Sequence, residues 1–243
     1  MKNALITGAN KSIGLETARQ LAQQGYFIYL GCRDLANGQQ AVAQLAEAGL
    51  THIEAIQLDV CDKASIQAAE KAISRKTSSL DVLINNAGVL GTMPQHAATT
   101  STDQIREVFN TNFFGTIDVT QAFLALLGKA EVPVIVNITS GLASLTLQSD
   151  PTWVHAAYKF ASYGPSKTAL NAYTVALAYE LRDTPFKVNA VCPGYVDTDF
   201  TDHLGDSSPR EAAARVLQAA LLGPDGPTGQ FFGQEVGTDR NPW

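Results

Sequence analysis

At 243 residues, with 45% hydrophobic and 16% charged residues, the chain is long enough to bury one full α/β core. Its net charge of −6 argues against a nucleic-acid or anionic-membrane partner, and no apolar run approaches the ~18 residues of a membrane span. Cys32, Cys61 and Cys192 lie far apart beside apolar runs, and the four histidines (His52, His96, His155, His203) lack ligand spacing, so the expectation is buried reduced thiols and no metal.

Apolar runs alternate with helical patterns, as in a parallel sheet covered on both faces. The first strand, 3–7, starts almost at once and leaves no room for a signal peptide, which sets the expectation of a cytoplasmic protein. It ends in the turn Thr7-Gly8-Ala9-Asn10-Lys11-Ser12-Ile13-Gly14, which opens a helix over 13–24. Gly8 permits a tight turn, Gly14 lets the helix approach closely, and the helix N-terminus offers N–H groups to a pyrophosphate. The second strand, 26–32, leads through Arg33 into a helix over 35–48. Its end carries Cys32 where an NAD-binding fold commonly has an acid facing the adenine ribose. Asp34 competes for that role but sits where the next helix needs an N-cap. Lys11 and Arg33 are the cations near this end, readable as phosphate ligands or as solvated surface groups.

A third strand, 53–58, runs into Asp59-Val60 and a helix over 63–76, for which Asp62 is a better cap than Asp59. A fourth, 81–85, enters Asn85-Asn86-Ala87-Gly88, and a helical pattern covers 101–128. Asn112 within that helix would, alone, only bend it. The strand over 132–139 delivers Ser140, which alone reads as a local turn former. In the helix over 162–182, Tyr163 and Lys167 lie four residues apart on one face, with Pro165 in the first turn. An ammonium held near a phenol lowers its pKa from about 10 and makes it a usable general acid or base. Tyr158 has Ser162 four residues on in place of a cation, so it is rejected as the acid and assigned to the substrate pocket. A strand over 186–192, a helix over 208–222 and a strand over 229–233 complete a doubly wound sheet with ligands at its carboxyl edge.

In this order the pieces resemble the short-chain dehydrogenase/reductase family, from residue 3 to about 233. The turn from Gly8 to Gly14 is similar to the family's TGxxxGxG, with Ser12 where the middle glycine is usual. Asp59-Val60, Asn85-Asn86-Ala87-Gly88, Thr111-Asn112-Phe113-Phe114-Gly115, Val136-Asn137-Ile138-Thr139-Ser140 and Pro193-Gly194-Tyr195-Val196-Asp197-Thr198 match further family segments. The resemblance implies a single α/β domain over 1–243: a three-layer, Rossmann-like, doubly wound parallel sheet of about seven strands. It implies NADP(H) held by Gly8, Asn10, Lys11, Ser12, Ile13, Gly14, Arg33, Asp59, Val60, Asn86, Ala87, Gly88, Tyr163, Lys167, Pro193, Gly194, Val196 and Thr198. Lys11 with Arg33 resembles the family's NADP-preferring pattern. The implied catalytic set is Ser140 holding the carbonyl oxygen, Tyr163 donating the proton, Lys167 lowering the Tyr pKa and holding the nicotinamide ribose, and Asn112 placing a water.

Ser140 and Tyr163 stand 23 positions apart, about ten more than the family's usual spacing. The extra residues, within Leu145 to Phe160, resemble the insertion of the carbonyl reductase branch, which overhangs the active site. Lids are therefore expected at about 145–160 and 199–210, and the insertion leaves monomer, dimer and tetramer all open. The pocket walls, Ala143 to Tyr158 and Phe200 to Ser208, hold no Arg or Lys to clamp a carboxylate or phosphate. The resemblance thus implies NADPH-dependent reduction of a small uncharged aldehyde or ketone to the alcohol, with no nucleic-acid or membrane partner. Two alternatives stand beside it. A catalytically idle NADP-binding sensor would not need the Ser140, Tyr163, Lys167 and Asn112 set. A same-fold epimerase or dehydratase usually carries a substrate lobe, for which the 45 residues after Thr198 are few.

Overall fold

A computed structural model describes residues 1–235, 237 and 239–243 of the chain. Its strands are β1 (Asn3–Thr7), β2 (Phe27–Cys32), β3 (Ile53–Gln57), β4 (Val82–Asn85), β5 (Val134–Ile138), β6 (Lys187–Val191) and β7 (Phe231–Phe232). All are parallel, in the order β3-β2-β1-β4-β5-β6-β7. The direction of winding reverses between β1 and β4, which opens a crevice beyond their carboxyl ends. The helices are α1 (Ser12–Gln23), α2 (Leu35–Glu47), α3 (Lys63–Ser74), α4 (Thr102–Phe109), α5 (Thr116–Leu127), α6 (Leu145–Ser149), α7 (Tyr163–Glu180) and α8 (Pro209–Ala220).

Successive strand residues face opposite sides, and each side meets its own helices. Ala4, Ile6, Ile28 and Val136 pack with Leu21 of α1, Leu45 of α2 and Val216 of α8. Leu5, Tyr29, Leu83 and Ile135 pack with Ile73 of α3, Phe123 of α5 and Leu177 of α7. Among the described residues, no helix is long and apolar enough to cross a membrane.

Helix starts follow local chemistry. Asp34 caps α2 through the Asn37 N–H at 3.1 Å, and Asp62 caps α3 through the Ala64 N–H at 2.9 Å. Asp59 accepts instead from the Cys61 N–H at 2.9 Å. The helix expected over 101–128 is interrupted: Asn110–Gly115 winds as a π-helix between α4 and α5. The strand expected over 229–233 contracts to two residues. Cys61, expected to be buried, is exposed, because it falls in the turn before α3 with its thiol 3.3 Å from Thr111 Oγ1. Cys32 and Cys192 are buried and free.

The carboxyl ends of the central strands carry a polar ladder. Asn85 Nδ2 donates to Asn137 Oδ1 and Thr120 Oγ1, and Asn137 Nδ2 donates to Thr174 Oγ1, all at 2.9 Å. Buried amides with partners of this kind fix one arrangement of the elements they join. Here they join β4 and β5 to α5 and α7.

The tightest approach lies at the first turn. A Cβ on Gly14 would stand 2.6 Å from both Asn86 Nδ2 and the Gly8 carbonyl. Gly14→Ala is therefore expected to destabilise the fold by about 1–3 kcal/mol through overpacking. Urea denaturation measures it, and an unchanged midpoint would show that the α1 start can yield.

Candidate active site

Ser140 leaves β5 in extended conformation, φ −157°, and its Oγ accepts from the Leu142 N–H at 3.2 Å. The same hydroxyl meets the side chain of Tyr163, so the local turn bond and the site contact coexist. Tyr163 is the first residue of α7, and its ring lies 5.5 Å from that of Phe200. The N-cap residue Ser162 supplies no side-chain cap to α7. The start of α7 is held from a distance: Gln95 Oε1 accepts from Ser162 N–H at 3.2 Å, Ser162 Oγ at 2.5 Å and Tyr163 N–H at 3.1 Å. Gln95 was not expected from the sequence.

One turn further, Lys167 Nζ donates to the Ile138 carbonyl at 2.8 Å. Burial pushes its pKa down to about 8. Burial also pushes the Tyr163 phenol well above its ordinary value, with the Cys192 thiol adding to the rise and the Ser140 bond opposing it. The expected depression of the Tyr163 pKa by Lys167 is therefore corrected: desolvation is the largest effect, and the ammonium is turned to a main-chain carbonyl of β5. Asn112 is fully buried in the π-helical turn. Its Oδ1 accepts from the Val89 N–H at 2.8 Å, and its Nδ2 donates to the Val89 carbonyl at 2.9 Å and to Ser166 Oγ at 3.0 Å. Ser166 Oγ in turn donates to the Tyr163 carbonyl at 2.7 Å. Asn112 thus ties the loop after β4 to the helix that carries Tyr163 and Lys167. Gly88 separates the two polar ends, since a Cβ there would lie 3.4 Å from both Asn112 Oδ1 and Lys167 Nζ.

The buried ammonium has a pH signature. The unfolded chain binds the Lys167 proton up to its ordinary pKa of 10.5, the folded chain only to about 8. Between those values the unfolded state holds more protons, so this residue makes stability rise with pH, and below about 8 its destabilising effect is present in full. Replacement by Met is expected to remove that rise, about 3 kcal/mol across the whole window. Urea denaturation of wild type and Lys167→Met from pH 7 to 10 reads the difference in slope; parallel curves would refute a buried charge at this position.

The first turn forms a cradle. Gly8 has φ +62°, and a Cβ on it would meet Ala87 Cα at 3.0 Å. Asn86 Nδ2 donates to the carbonyls of Thr7 at 2.8 Å and Gly8 at 3.0 Å, so this side chain braces the turn. Ser12 takes the left-handed φ of +51° that glycine adopts more readily. No side chain caps α1, whereas α2, α3, α4 and α8 each have a side-chain cap. The first-turn N–H groups around Ser12, Ile13 and Gly14 thus lack a side-chain cap, the condition under which a helix start can take a pyrophosphate. Asn10 borders a cavity of about 250 Å³ beside α2. Lys11 is paired with Asp199 at 2.8 Å, and Asp199 also meets His203 Nε2 at 3.2 Å. Arg33 is exposed just past β2 and enters no ion pair among the described residues. Val60 is buried, its carbonyl facing Gly115. Val196 and Thr198 are buried in the segment after β6, where Pro193 and Gly194 abut Arg215.

A second cavity, about 280 Å³, opens beside Cys192 and Tyr195. The expected walls contribute Val154, His155, Asp206 and Ser207. The tail contributes Glu235, which was not expected; its Oε1 accepts from Cys192 Sγ at 3.3 Å. The insertion before Tyr163 forms α6 and a chain of turns, with Trp153 buried edge-on against His155 at 5.3 Å. Tyr158 is 44% exposed, 6.0 Å from the His155 ring.

The profile of a family described as short chain dehydrogenase matches residues 2–208. The (+)-neomenthol dehydrogenase of Capsicum annuum is 32% identical, over 94% of this chain and 94% of that protein. The structure of salutaridine reductase from Papaver somniferum superimposes with a TM-score of 0.85 at 28% identity, covering 95% of this chain and 99% of that one. An NADPH-bound carbonyl reductase from chicken fatty liver gives 0.85 at 28% identity, covering 100% and 99%.

Proposed function

The chain belongs to the short chain dehydrogenase family, and we propose that it is an NADPH-dependent reductase that converts ketones or aldehydes to alcohols. The observation that carries this reading is the contact of the Ser140 hydroxyl with the Tyr163 side chain, with the buried Lys167 ammonium on the Ile138 carbonyl at the end of β5, at the sheet edge that also bears the uncapped start of α1. The similar carbonyl reductase holds NADPH, and the similar neomenthol dehydrogenase and salutaridine reductase are named for alcohol and carbonyl chemistry. The chain is read as one cytoplasmic catalytic unit, with 145–160 and 199–210 closing over the substrate.

NADPH, when bound, supplies the hydride that reaches the carbonyl carbon. Gly8, Asn10, Ser12, Ile13 and Gly14 would hold its pyrophosphate side, Arg33 and Lys11 its 2′-phosphate, and Asp59, Val60 and the Asn86–Gly88 turn its adenosine. Pro193, Gly194, Val196 and Thr198 would close over the nicotinamide. Ser140 holds the substrate oxygen by a hydrogen bond that strengthens as negative charge develops there. Tyr163 is a neutral phenol at pH 7, as its ordinary pKa of about 10 already requires, and burial raises that value further. It therefore retains a proton to give when that oxygen becomes an alkoxide, a far stronger base. The Lys167 ammonium, one helical turn along α7, would hold the nicotinamide ribose. Asn112 keeps the Tyr163 helix in register and lies on the route for reprotonation.

The test is NADPH consumption across ketones, aldehydes, diketones and quinones, with the alcohol product identified. Folded protein that binds NADPH but oxidises it with none of them would favour the idle sensor instead.

A further inference from the structure

We propose that Glu235 selects carbonyl substrates that carry a protonated amine. This rests on the reductase reading and names the substrate class of the same site. Glu235 is held beside the reacting centre at both its backbone and its carboxylate. Glu235 N–H donates to Asn241 Oδ1 at 3.0 Å, and Oε1 accepts from Cys192 Sγ at 3.3 Å. Cys192 Sγ also accepts from the Gly141 N–H at 3.1 Å, and burial and the Glu235 carboxylate keep it a protonated thiol beside Tyr163. The carboxyl group packs so closely on Gly141 that a Cβ there would stand 2.8 Å from its carbon. The negative charge thus lies one residue from Ser140 and one thiol from Tyr163.

No ion pair among the described residues includes Glu235. A carboxylate facing a half-enclosed cavity gains from a counter-charge, and a ligand ammonium supplies one. Asp206 lines the same cavity and adds to the negative field around Tyr195. The lining cation, Arg215, is committed elsewhere: its Nη1 donates to the Pro193 carbonyl at 2.6 Å and Ser207 Oγ at 3.3 Å, and its charge acts on Glu211. The His155 and Tyr195 rings, 5.7 Å apart, form an aromatic wall on which an alkylammonium can rest. The segments 143–158 and 200–208 hold no Lys or Arg to clamp an anion, and Glu235, outside both, adds a negative charge that favours a cation.

A matched pair of ketones tests this: N-methylpiperidone, protonated near neutral pH, and its carbon analogue methylcyclohexanone. Wild type is expected to favour the amine by roughly 10-fold or more in kcat/KM, and Glu235→Gln to reduce that ratio at least ~10-fold. N-methylpiperidine, which has the ammonium but no carbonyl, should bind wild type with NADPH roughly 10-fold more tightly than Glu235→Gln, by calorimetry. A wild-type ratio near one overturns the proposal without reference to any variant, as does equal piperidine affinity in two folded proteins. Glu235-dependent piperidine binding without reduction of either ketone would remove the reductase reading and leave the amine site standing. Reduction of both ketones without preference would do the opposite.

Discussion

Tyr163→Phe is expected to fold, to bind NADPH within a few-fold of wild type, and to lose at least ~100-fold in turnover. Only an oxygen is removed: the ring keeps its contact with Phe200, and the α7 start remains held by Gln95. What disappears is the phenolic proton beside the Ser140 hydroxyl. Ser140 can still polarise the substrate oxygen, which leaves a residual rate. Tyr158→Phe is the internal control, since its ring is 44% exposed and stands among His155 and Phe160. It should alter substrate affinity at most. Full turnover by a folded Tyr163→Phe variant, or a dead Tyr158→Phe, would move the acid elsewhere.

Arg33→Ala is expected to weaken NADPH binding by roughly 10- to 150-fold, toward the lower end because the side chain is exposed, and to leave NADH almost unaffected. Three features argue for this discrimination. Cys32, at the end of β2, is a buried thiol whose pKa burial raises, so it presents no negative charge to a ribose. Asp34, the competing acid, is occupied as the α2 cap. Lys11 already has Asp199 as a partner, so Lys11→Ala should cost NADPH less than Arg33→Ala. Dissociation constants for both cofactors, measured by fluorescence titration, decide it. A wild type that prefers NADH would show that Asp34 exchanges its cap for the ribose.

Buried parallel strands were legible because they read as continuous apolar runs, and the turns after them because glycine and the capping residues act locally. Asp34 and Asp62 were placed correctly as caps on that ground alone. The π-helical turn at Asn110–Gly115 was not legible, since one widened turn barely disturbs the apolar periodicity on either side. Neither was Gln95, whose contacts to Ser162 and Tyr163 span 67 and 68 positions. Glu235 escaped for the same reason: its place beside Cys192 depends on how the tail folds back. The direction of the Tyr163 pKa was missed because spacing along a helix reports proximity to Lys167 and says nothing of desolvation.

That tail also governs how the sheet meets other chains. On its outer side β7 is already bonded: Phe232 bridges Arg240 in antiparallel fashion, and Asn241 N–H donates to the Phe231 carbonyl at 2.8 Å. At the opposite boundary, β3 carries Glu54 ion-paired with Lys76, and Gln57 exposed at its end. A sheet whose edges are covered or charged is a poor template for strand addition. Partial loss of the tail would uncover β7 and turn a quiet margin into an aggregation seed, so limited proteolysis near the end of the chain is a route to insoluble protein as well as to an inactive one.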